Sequence, residues 1–316
     1  MGTAERPNGR GDLRAAGTVA FVGCGRMGAP MARRLLAAGA GVVAYDVDEH
    51  ALAAVAEAGA RAAASPRDAA GGAAFAVTML PDPAVVERAA RGPDGLLAGL
   101  GDGALWLEMS SSSPATTKAL AAAAAGRGAA LLDAPVSGGV TGADAGTLTI
   151  MLGGPVALVD RARPLLEELG STLVHVGDAP GDGDAAKTIN NMLSATNLAA
   201  AAEALAMGIR AGLDPGRLVD CVNGGTGASR AMRNSQVLTG RFGSRFTLGQ
   251  HLKDLGIARR LADDHGVPAP VNGAAHAVWA EQAARGHADD DHTRLVALLL
   301  ADAGIELEPG RTRERT

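Results

Sequence analysis

Apolar residues recur along the first part of the chain in short runs separated by longer alanine-rich segments. The runs are rich in Val, Ala and Leu, and the segments between them have the apolar spacing of amphipathic helices. Strands that alternate with helices in this way form a parallel sheet joined by crossover helices. The predicted strands are residues 18–22, 41–46, 75–80, 104–109, 130–136, 147–154 and 172–176.

The pattern changes near residue 180, and no strand is predicted beyond Gly183. A series of helices follows, and the first of them, over 183–211, leads from one domain into the next. The predicted fold class is α/β, with an N-terminal Rossmann-type doubly wound domain followed by an all-helical C-terminal domain. The predicted boundaries are a tail at 1–16, the two domains at 17–181 and 182–306, and a second tail at 307–316.

Composition narrows the classes of function. The 316 residues are 47% hydrophobic and 20% charged, which is enough for two domains that each bury a core. A net charge of -5 provides no basic stripe for a nucleic-acid backbone, so a small-molecule partner is favoured over DNA or RNA.

Cysteine usage and hydropathy predict a cytoplasmic protein that does not enter a membrane. Cys24 and Cys221 are the only cysteines and lie far apart, which indicates neither a disulfide framework nor a thiolate metal cluster. Residues 1–16 lack the apolar core of a secretory signal. The apolar stretch 190–212 owes its character to alanine and contains polar residues such as Asn191, so no membrane span is predicted.

A glycine-rich turn follows the first predicted strand. Gly23, Gly25 and Gly28 form G-x-G-x-x-G between a strand and a helix. Each glycine has a mechanical role in dinucleotide binding: a tight turn, close approach of a pyrophosphate, and close packing of helix on sheet. The phosphates would lie at the helix N-terminus, where free N–H groups favour negative charge.

An acidic residue at the end of the second strand favours NAD over NADP. Asp46 stands eighteen residues after Gly28, where a carboxylate can accept hydrogen bonds from a ribose 2′-hydroxyl and would repel a 2′-phosphate. Asp48 and Glu49 follow it without a nearby arginine. The predicted cofactor is therefore NAD, with NADP as the alternative.

Lysine is rare in this chain, with three residues against twenty-six arginines. Lys187 stands in the segment GDGDAAKTINN, where a surface charge on a helix is the simplest interpretation. A lysine amine can also lose and regain a proton, which guanidinium cannot do. Asn191 lies four residues further on and would share a helix face with Lys187, and Asn190 could reach the same side.

Four motifs together resemble the β-hydroxyacid dehydrogenase family, which includes 3-hydroxyisobutyrate dehydrogenase and tartronate semialdehyde reductase. They are GCGRMGAPMARRL, DAPVSGGVTGADAGTLTIMLGG, GDGDAAKTINN and HLKDLGIA, and the likeness extends from about Thr18 to Gly304. The resemblance implies that Lys187 is the catalytic residue and that Asn191 contacts the substrate. It also implies that Ser137, Gly138 and Gly139 hold the substrate carboxylate.

The same resemblance implies further cofactor contacts. Arg26 and Met27 belong to the glycine-rich motif. Lys253 looks like the lysine that reaches the nicotinamide side of the cofactor, although a paired charge with Asp254 is the alternative. The remaining implied contacts are Met79, Leu80, Pro81 and Val85 beside the adenosine and pyrophosphate, and Ser111 at a strand end.

One departure from the family leaves the substrate open. Arg230 and Arg233 stand where relatives often carry an aromatic residue, and they could bind a second acidic group of the substrate or face solvent. The segment GHADDDHTRL could suggest a metal site, but an N-cap with acidic first-turn residues explains it, so no metal is predicted. His251 is expected to have no ligand role.

The predicted function is hydride transfer between NAD and a small β-hydroxy acid, with Lys187 as the general acid/base. The first alternative is an imine reductase of the same fold, whose family usually has another residue at the lysine position. The second alternative is a non-enzymatic dinucleotide-binding module. Alanine- and leucine-rich helices in the second half predict a homodimer or homotetramer.

Overall fold

The computed structural model describes residues 13–233, residue 243 and residues 246–306. The chain forms two compact units, the first ending at Lys187 and the second beginning at Thr188. The division falls inside one continuous helix, Asp182–Arg210, and the second unit begins six residues after the predicted start at 182. Residues 1–12 of the predicted tail at 1–16, and the whole predicted tail at 307–316, lie outside the described residues.

The first unit is built on a sheet of nine strands. Along the main path the strand order is β3-β2-β1-β4-β5-β6-β8-β7, and β9 pairs with β8. The strands are β1 Thr18–Val22, β2 Gly41–Tyr45, β3 Arg61–Ala62, β4 Phe75–Thr78, β5 Leu105–Glu108, β6 Ala130–Asp133, β7 Val136–Ser137, β8 Leu148–Gly153 and β9 Gly170–Gly177.

The central strands are apolar along their whole length because both faces of the sheet are covered. Strands β4 and β5 are buried at every position, and Phe21 and Leu107 belong to one core while Val22 and Trp106 belong to the other. Parallel sheets with helices on both faces show this continuous apolar pattern rather than alternation. The predicted doubly wound domain is therefore confirmed.

Two strands differ from the prediction. The expected strand 130–136 is two strands, β6 and β7, separated by Ala134 and Pro135. Proline has no N–H to donate to a ladder, and the chain pairs antiparallel with β8 on both sides of it. Strand β3 was missed because it has two exposed residues, an arginine and an alanine, and no apolar run.

The first unit also has eight helices among the described residues before the long helix. They are α1 Gly28–Ala37, α2 Glu49–Ala56, α3 Pro66–Ala70, α4 Pro83–Ala90, α5 Leu96–Gly99, α6 Pro114–Ala125, α7 Gly139–Ala145 and α8 Val156–Leu169.

The predicted tail at 1–16 is too long. Residues Leu13–Ala15 form a 3-10 turn, and the side chain of Leu13 is buried in the core with the strands. The backbone N–H of Leu13 donates to the carbonyl oxygen of Ala38 at 3.0 Å. The sequence pattern missed this contact because a single leucine among polar residues carries no periodicity.

The second unit is helical, as predicted. Its core is formed by Trp279, Leu248, Leu255 and Leu295 with buried alanines and leucines of the long helix. The helices are α9 Asp182–Arg210, which begins in the first unit, α10 Pro215–Gly224, α11 Arg230–Arg233, α12 Leu248–Asp264, α13 Pro270–Gln282 and α14 Leu295–Asp302.

Helix α9 is long and apolar enough to cross a membrane by length and composition alone. Core helices pass the same test. Ala195, Ala202 and Leu205 of this helix are fully buried in the core of the second unit. The apolar character of α9 is therefore used at least in part for packing inside that unit.

Candidate functional site

The glycine-rich turn lies between β1 and α1, and its three glycines differ in what they touch. Gly23 has φ +99°, and a Cβ there would collide with the carbonyl oxygen of Met79. A Cβ on Gly28 would collide with the carbonyl oxygen of Gly23. A Cβ on Gly25 would meet no protein atom within 4 Å. Packing within the protein thus accounts for the first and third glycines, while the middle one matches the position that a pyrophosphate approaches.

Asp46 is held at the end of β2 by two backbone groups. The N–H of Cys24 donates to Oδ2 of Asp46 at 2.5 Å, and the N–H of Asp48 donates to Oδ1 at 2.9 Å. The bond from Cys24 ties the carboxylate to the glycine-rich turn, and the bond from Asp48 fixes it locally. Burial raises the pKa of the Cys24 thiol to about 12, and the charge of Asp46 adds to the effect. The thiol is therefore neutral at physiological pH, which fits a small filler residue.

The loop after β4 continues this edge of the sheet. The N–H of Met79 donates to the carbonyl oxygen of Val22, and the N–H of Leu80 donates to Oγ of Ser110, both at 2.9 Å. Asp82 caps α4 by accepting a hydrogen bond from the N–H of Val85 at 2.9 Å. The other predicted cofactor residues of the first unit are placed as follows: Arg26 exposed, Met27 and Ser111 half-buried, and Pro81 exposed in the turn before Asp82.

The predicted carboxylate-binding residues form the turn from β7 into α7. Ser137 ends β7 and pairs with Thr149 of β8. Gly138 has φ +137° and Gly139 has φ +63°, conformations that L-residues rarely adopt. Both glycines are exposed and Ser137 is half-buried, so a hydroxyl and backbone N–H groups are accessible at one strand end.

Lys187 lies in the second turn of α9. The start of that helix is fixed by the buried carboxylate of Asp133, which was not predicted as a site residue. Oδ1 of Asp133 accepts a hydrogen bond from the N–H of Gly181 at 2.8 Å, and Oδ2 accepts one from the N–H of Asp184 at 3.0 Å. The hydroxyl of Thr117 donates to Oδ2 of Asp184 at 2.5 Å. Lys187 is half-buried.

Asp133 and Asp184 have a third buried acid as a neighbour, Glu108 at the end of β5. Burial raises the pKa of Asp133 to about 6, although backbone N–H groups oppose the shift. Burial and the neighbouring Asp133 raise the pKa of Asp184 to about 7. Burial and then Asp184 raise the pKa of Glu108 well above its usual value. The signal that could have revealed Glu108 and Asp133 is an acidic residue inside an apolar run, as in ALWLEM and ALLDAP, whereas Asp184 lies in GDGDAAK and has no such signal.

In the second unit, Asn191 and Lys253 meet at one carboxylate. The Nδ2 of Asn191 donates to Oδ2 of Asp254 at 2.7 Å, and Nζ of Lys253 lies 3.2 Å from Oδ1 of the same group. The Nδ2 of Asn190 donates to Oδ1 of Asn191 at 3.0 Å. The Lys253–Asp254 pair weighed from the sequence therefore exists. Asp254 does more than pair, because it also orients the amide of Asn191.

The remaining polar candidates have structural partners. His251 is buried against the rings of Phe246, Trp279 and His292, with centroid separations of 4.8, 4.9 and 4.8 Å. Burial lowers the pKa of His292. These contacts account for both histidines as packing residues.

The segment GHADDDHTRL forms caps and turns. The N–H and hydroxyl of Thr293 both donate to Oδ1 of Asp291 at the start of a 3-10 turn, as the N-cap interpretation predicted. The Nδ1 atom of His287 lies 2.8 Å from Oδ2 of Asp290. Arg230 and Arg233 are exposed on the short helix α11.

The residues of the first unit fit a dinucleotide. The space beside Gly25, the N-terminus of the ten-residue helix α1 and the carboxylate of Asp46 match the turn, pyrophosphate and ribose positions of the fingerprint. The fold and this site define a NAD(P)-binding protein with a helical second unit.

Family comparisons cover both units. Residues 18–177 match the NAD binding domain of 6-phosphogluconate dehydrogenase, and residues 181–299 match the family described as NAD-binding of NADP-dependent 3-hydroxyisobutyrate dehydrogenase. The chain belongs to the β-hydroxyacid dehydrogenase family, whose members are NAD(P)-dependent oxidoreductases. The resemblance seen in the sequence is confirmed.

Individual relatives match the chain over two thirds or more of their length. The chain is 36% identical to 2-(hydroxymethyl)glutarate dehydrogenase of Eubacterium barkeri over 93% of this chain and 98% of that protein. It is 44% identical to 3-hydroxyisobutyrate dehydrogenase of Pseudomonas aeruginosa over 68% of this chain and 72% of that one. The solved 3-hydroxyisobutyrate dehydrogenase of Mycobacterium tuberculosis with L-serine has a TM-score of 0.84 at 35% identity, covering 90% and 99% of the two chains.

Imine reductases are more distant. The enzyme from Myxococcus stipitatus has a TM-score of 0.61 at 22% identity, covering 90% of this chain and 98% of that one. A likeness at that level establishes a shared fold and does not extend to the reaction.

Proposed function

We propose that this protein oxidises the hydroxyl group of a small β-hydroxy acid, or reduces the corresponding carbonyl, with Lys187 as the general acid/base. The observation that carries the proposal is a half-buried lysine at a fixed place in α9, with Asn191 one turn further along that helix. A lysine amine can accept the hydroxyl proton during oxidation and return it during reduction.

The other residues would bind and orient. Ser137, Gly138 and Gly139 would hold the substrate carboxylate through a hydroxyl and backbone N–H groups. Asn191, whose amide is oriented by Asp254, would contact the substrate without competing for its proton. Bound NAD would supply the hydride acceptor beside the carbinol carbon. Lys253 would reach the nicotinamide side, and Arg26, Met27, Leu80, Val85 and Ser111 would line the rest of the cofactor.

We propose NAD as the preferred cofactor because Asp46 places a carboxylate where NADP carries a 2′-phosphate. Fluorescence titration with NADH and NADPH measures the preference directly. NADH is expected to bind more tightly, and Asp46→Ser should narrow the difference. Equal or tighter binding of NADPH to the unchanged protein would contradict this assignment.

The test of the reaction is a substrate screen with NAD that includes 3-hydroxyisobutyrate, glycerate, 2-(hydroxymethyl)glutarate, L-serine and cyclic imines. Turnover of at least one hydroxy acid is expected, and turnover of imines alone would overturn the proposal.

Acids with a second acidic group also test Arg230 and Arg233. If these arginines bind that group, Arg230→Ala and Arg233→Ala should raise KM for diacids and leave KM for monoacids unchanged.

The decisive variant for the catalytic role is Lys187→Ala. Loss of the acid/base should lower kcat about 100-fold or more, while NADH binding stays intact. Lys118→Ala is the matched control, since Lys118 is an exposed helix lysine outside the proposed site. Near-normal turnover by Lys187→Ala would remove Lys187 from the mechanism.

We also propose a homodimer or homotetramer formed through the second half of the chain, in the cytoplasm. Apolar side chains on α9 support association, because Ile189 and Leu193 are each 50% exposed and Met207 is 68% exposed. Sedimentation equilibrium tests the assembly, and a monomer at micromolar concentration would contradict it.

A further inference from the structure

The start of helix α9 is attached to the sheet of the first unit by one buried side chain. Asp133 is the last residue of β6, and its two carboxylate oxygens accept hydrogen bonds from backbone N–H groups of Gly181 and Asp184. Backbone donors cannot rotate away as side chains can. A carboxylate that accepts two of them therefore fixes the position and the direction in which the helix begins.

Two glycines leave the space that this carboxylate needs. A Cβ on Gly153 of β8 would lie 2.7 and 2.8 Å from the two carboxylate oxygens of Asp133. A Cβ on Gly183 would lie 2.8 Å from Oδ2 of Asp133 and 2.6 Å from the carbonyl oxygen of Met151. All four distances are shorter than real Cβ contacts, so the strand, the carboxylate and the helix start fit together only without those side chains.

A second anchor acts one residue beyond Gly183. The hydroxyl of Thr117, on α6, donates to Oδ2 of Asp184 at 2.5 Å, and both side chains are fully buried. The first turn of α9 is thus fixed through its backbone by Asp133 and through a side chain by Thr117. Lys187 follows Asp184 by three residues, less than one helical turn.

The same residue is also close in sequence to the proposed carboxylate-binding turn. Only Ala134, Pro135 and Val136 separate Asp133 from Ser137, and β7 holds that short connection against β8. Asp133 is therefore joined to Ser137 by a short, paired stretch of chain and to Lys187 by a short, rigid stretch of helix.

We infer that Asp133 is a positioning residue for the reaction, which sets the place of Lys187 relative to the substrate-carboxylate turn at Ser137. The inference rests on the proposed function of Lys187 and Ser137 and assigns no substrate contact to Asp133. An acid/base group and a binding group must be held at a fixed separation, and displacement by about 1 Å can cost about 100-fold in rate.

The test is Asp133→Asn in the full chain. The amide keeps the shape of the side chain but presents an NH2 group to one of the two backbone N–H donors, so one anchor becomes a repulsive contact. We expect kcat per NADH-binding site to fall about 10- to 100-fold with KM for NAD unchanged. NADH-binding stoichiometry from fluorescence titration supplies the number of intact sites.

A purely structural role gives a different result. Misfolding would reduce the number of NADH-binding sites and leave kcat per site at the wild-type value, and that outcome would overturn the inference. Unchanged kcat would overturn it as well. Asp214→Asn is the matched control, because Asp214 caps α10 by accepting a hydrogen bond from the N–H of Arg217 at 2.9 Å and lies in no proposed site. It should leave kcat unchanged.

If Asp133→Asn yields no folded protein, Thr117→Val decides the question. Valine keeps the volume but removes the hydroxyl donor to Asp184. A fall in kcat per site of about threefold or more, with KM for NAD unchanged, is expected from a loosened helix start. Wild-type kcat per site in Thr117→Val would then overturn the inference.

Lys187→Ala, measured in parallel, separates the two hypotheses. If Lys187→Ala retains turnover, the proposed function fails. If Lys187→Ala loses turnover while Asp133→Asn and Thr117→Val keep the wild-type kcat per site, the proposed function stands and only the inference on Asp133 fails.

Discussion

Asp133 in the first unit and Asp254 in the second are both buried carboxylates beside proposed site residues, but they bind different kinds of donor. Asp133 accepts hydrogen bonds from backbone N–H groups of Gly181 and Asp184. Asp254 accepts one from the amide of Asn191 and lies 3.2 Å from the ammonium of Lys253. The first arrangement fixes a helix start, and the second orients two side chains.

The two centres also differ in charge. Asp133 is accompanied by two further buried acids, Asp184 and Glu108, and burial raises the pKa of all three. Asp254 is paired with a cation whose side chain is 26% exposed. The comparison shows that a buried carboxylate can be held by backbone N–H dipoles or by a neighbouring positive charge.

The largest expected effect concerns the pH dependence of stability. The pKa of Asp184 is about 7 in the folded protein, above its usual value of 3.8, so the folded state binds more protons than the unfolded chain between those values. The stability that this group contributes is present below about pH 4 and is lost as the pH rises to about 7. Between pH 5 and pH 8 this loss lowers the free energy of unfolding of the wild type by up to roughly 3 kcal/mol, and Asp184→Asn removes it.

Urea unfolding of both proteins at pH 5 and pH 8 measures this effect. The free energy of unfolding of Asp184→Asn should increase relative to that of the wild type as the pH rises. A difference between the two proteins that is the same at both pH values would contradict the raised pKa of Asp184.

A smaller effect is expected at the second centre. Asp254→Asn keeps one acceptor for Asn191 but turns an amide towards the ammonium of Lys253, so the free energy of unfolding should fall by about 1–3 kcal/mol. Because Asn191 loses its fixed orientation, KM for the substrate should rise as well. Denaturant unfolding and steady-state kinetics measure the two effects, and wild-type values for both would show that Asp254 orients nothing.

The smallest effect on stability is expected for Lys253→Met. Lys253→Met leaves the buried carboxylate of Asp254 with only the amide of Asn191 as a partner among the described residues, so the free energy of unfolding should fall by about 1 kcal/mol. The affinity for NADH should nevertheless fall about tenfold if Lys253 reaches the nicotinamide side. Unchanged NADH affinity would reduce Lys253 to the paired helix charge that the sequence also allowed.

Much of the fold could be predicted because its elements carry strong local patterns. The apolar runs at residues 18–22, 75–80 and 104–109 became buried parallel strands, since strands covered on both faces need continuous apolar sequence. The split of 130–136 at Pro135 and the short strand Arg61–Ala62 were not foreseen. Both depend on pairing with strands that are distant along the chain.

The candidate site likewise has residues that a local pattern predicts and residues whose role depends on distant contacts. Gly23, Gly25, Gly28 and Asp46 could be identified because their spacing follows from the local turn from strand to helix. Asp133, with partners forty-eight and fifty-one residues away, could not be identified as an anchor. The role of Asp254 towards Asn191, sixty-three residues away, was likewise invisible in the sequence.

The sequence alone determined the alternation of strands and helices and the nucleotide-binding turn, because both are expressed by residues close together in the chain. It also determined the family, because each of the four motifs that carry the resemblance is itself local. The tertiary structure decided which buried acids meet which donors and how the start of α9 is attached to the sheet. These contacts join segments separated by dozens of residues, and their geometry exists only after the chain has folded.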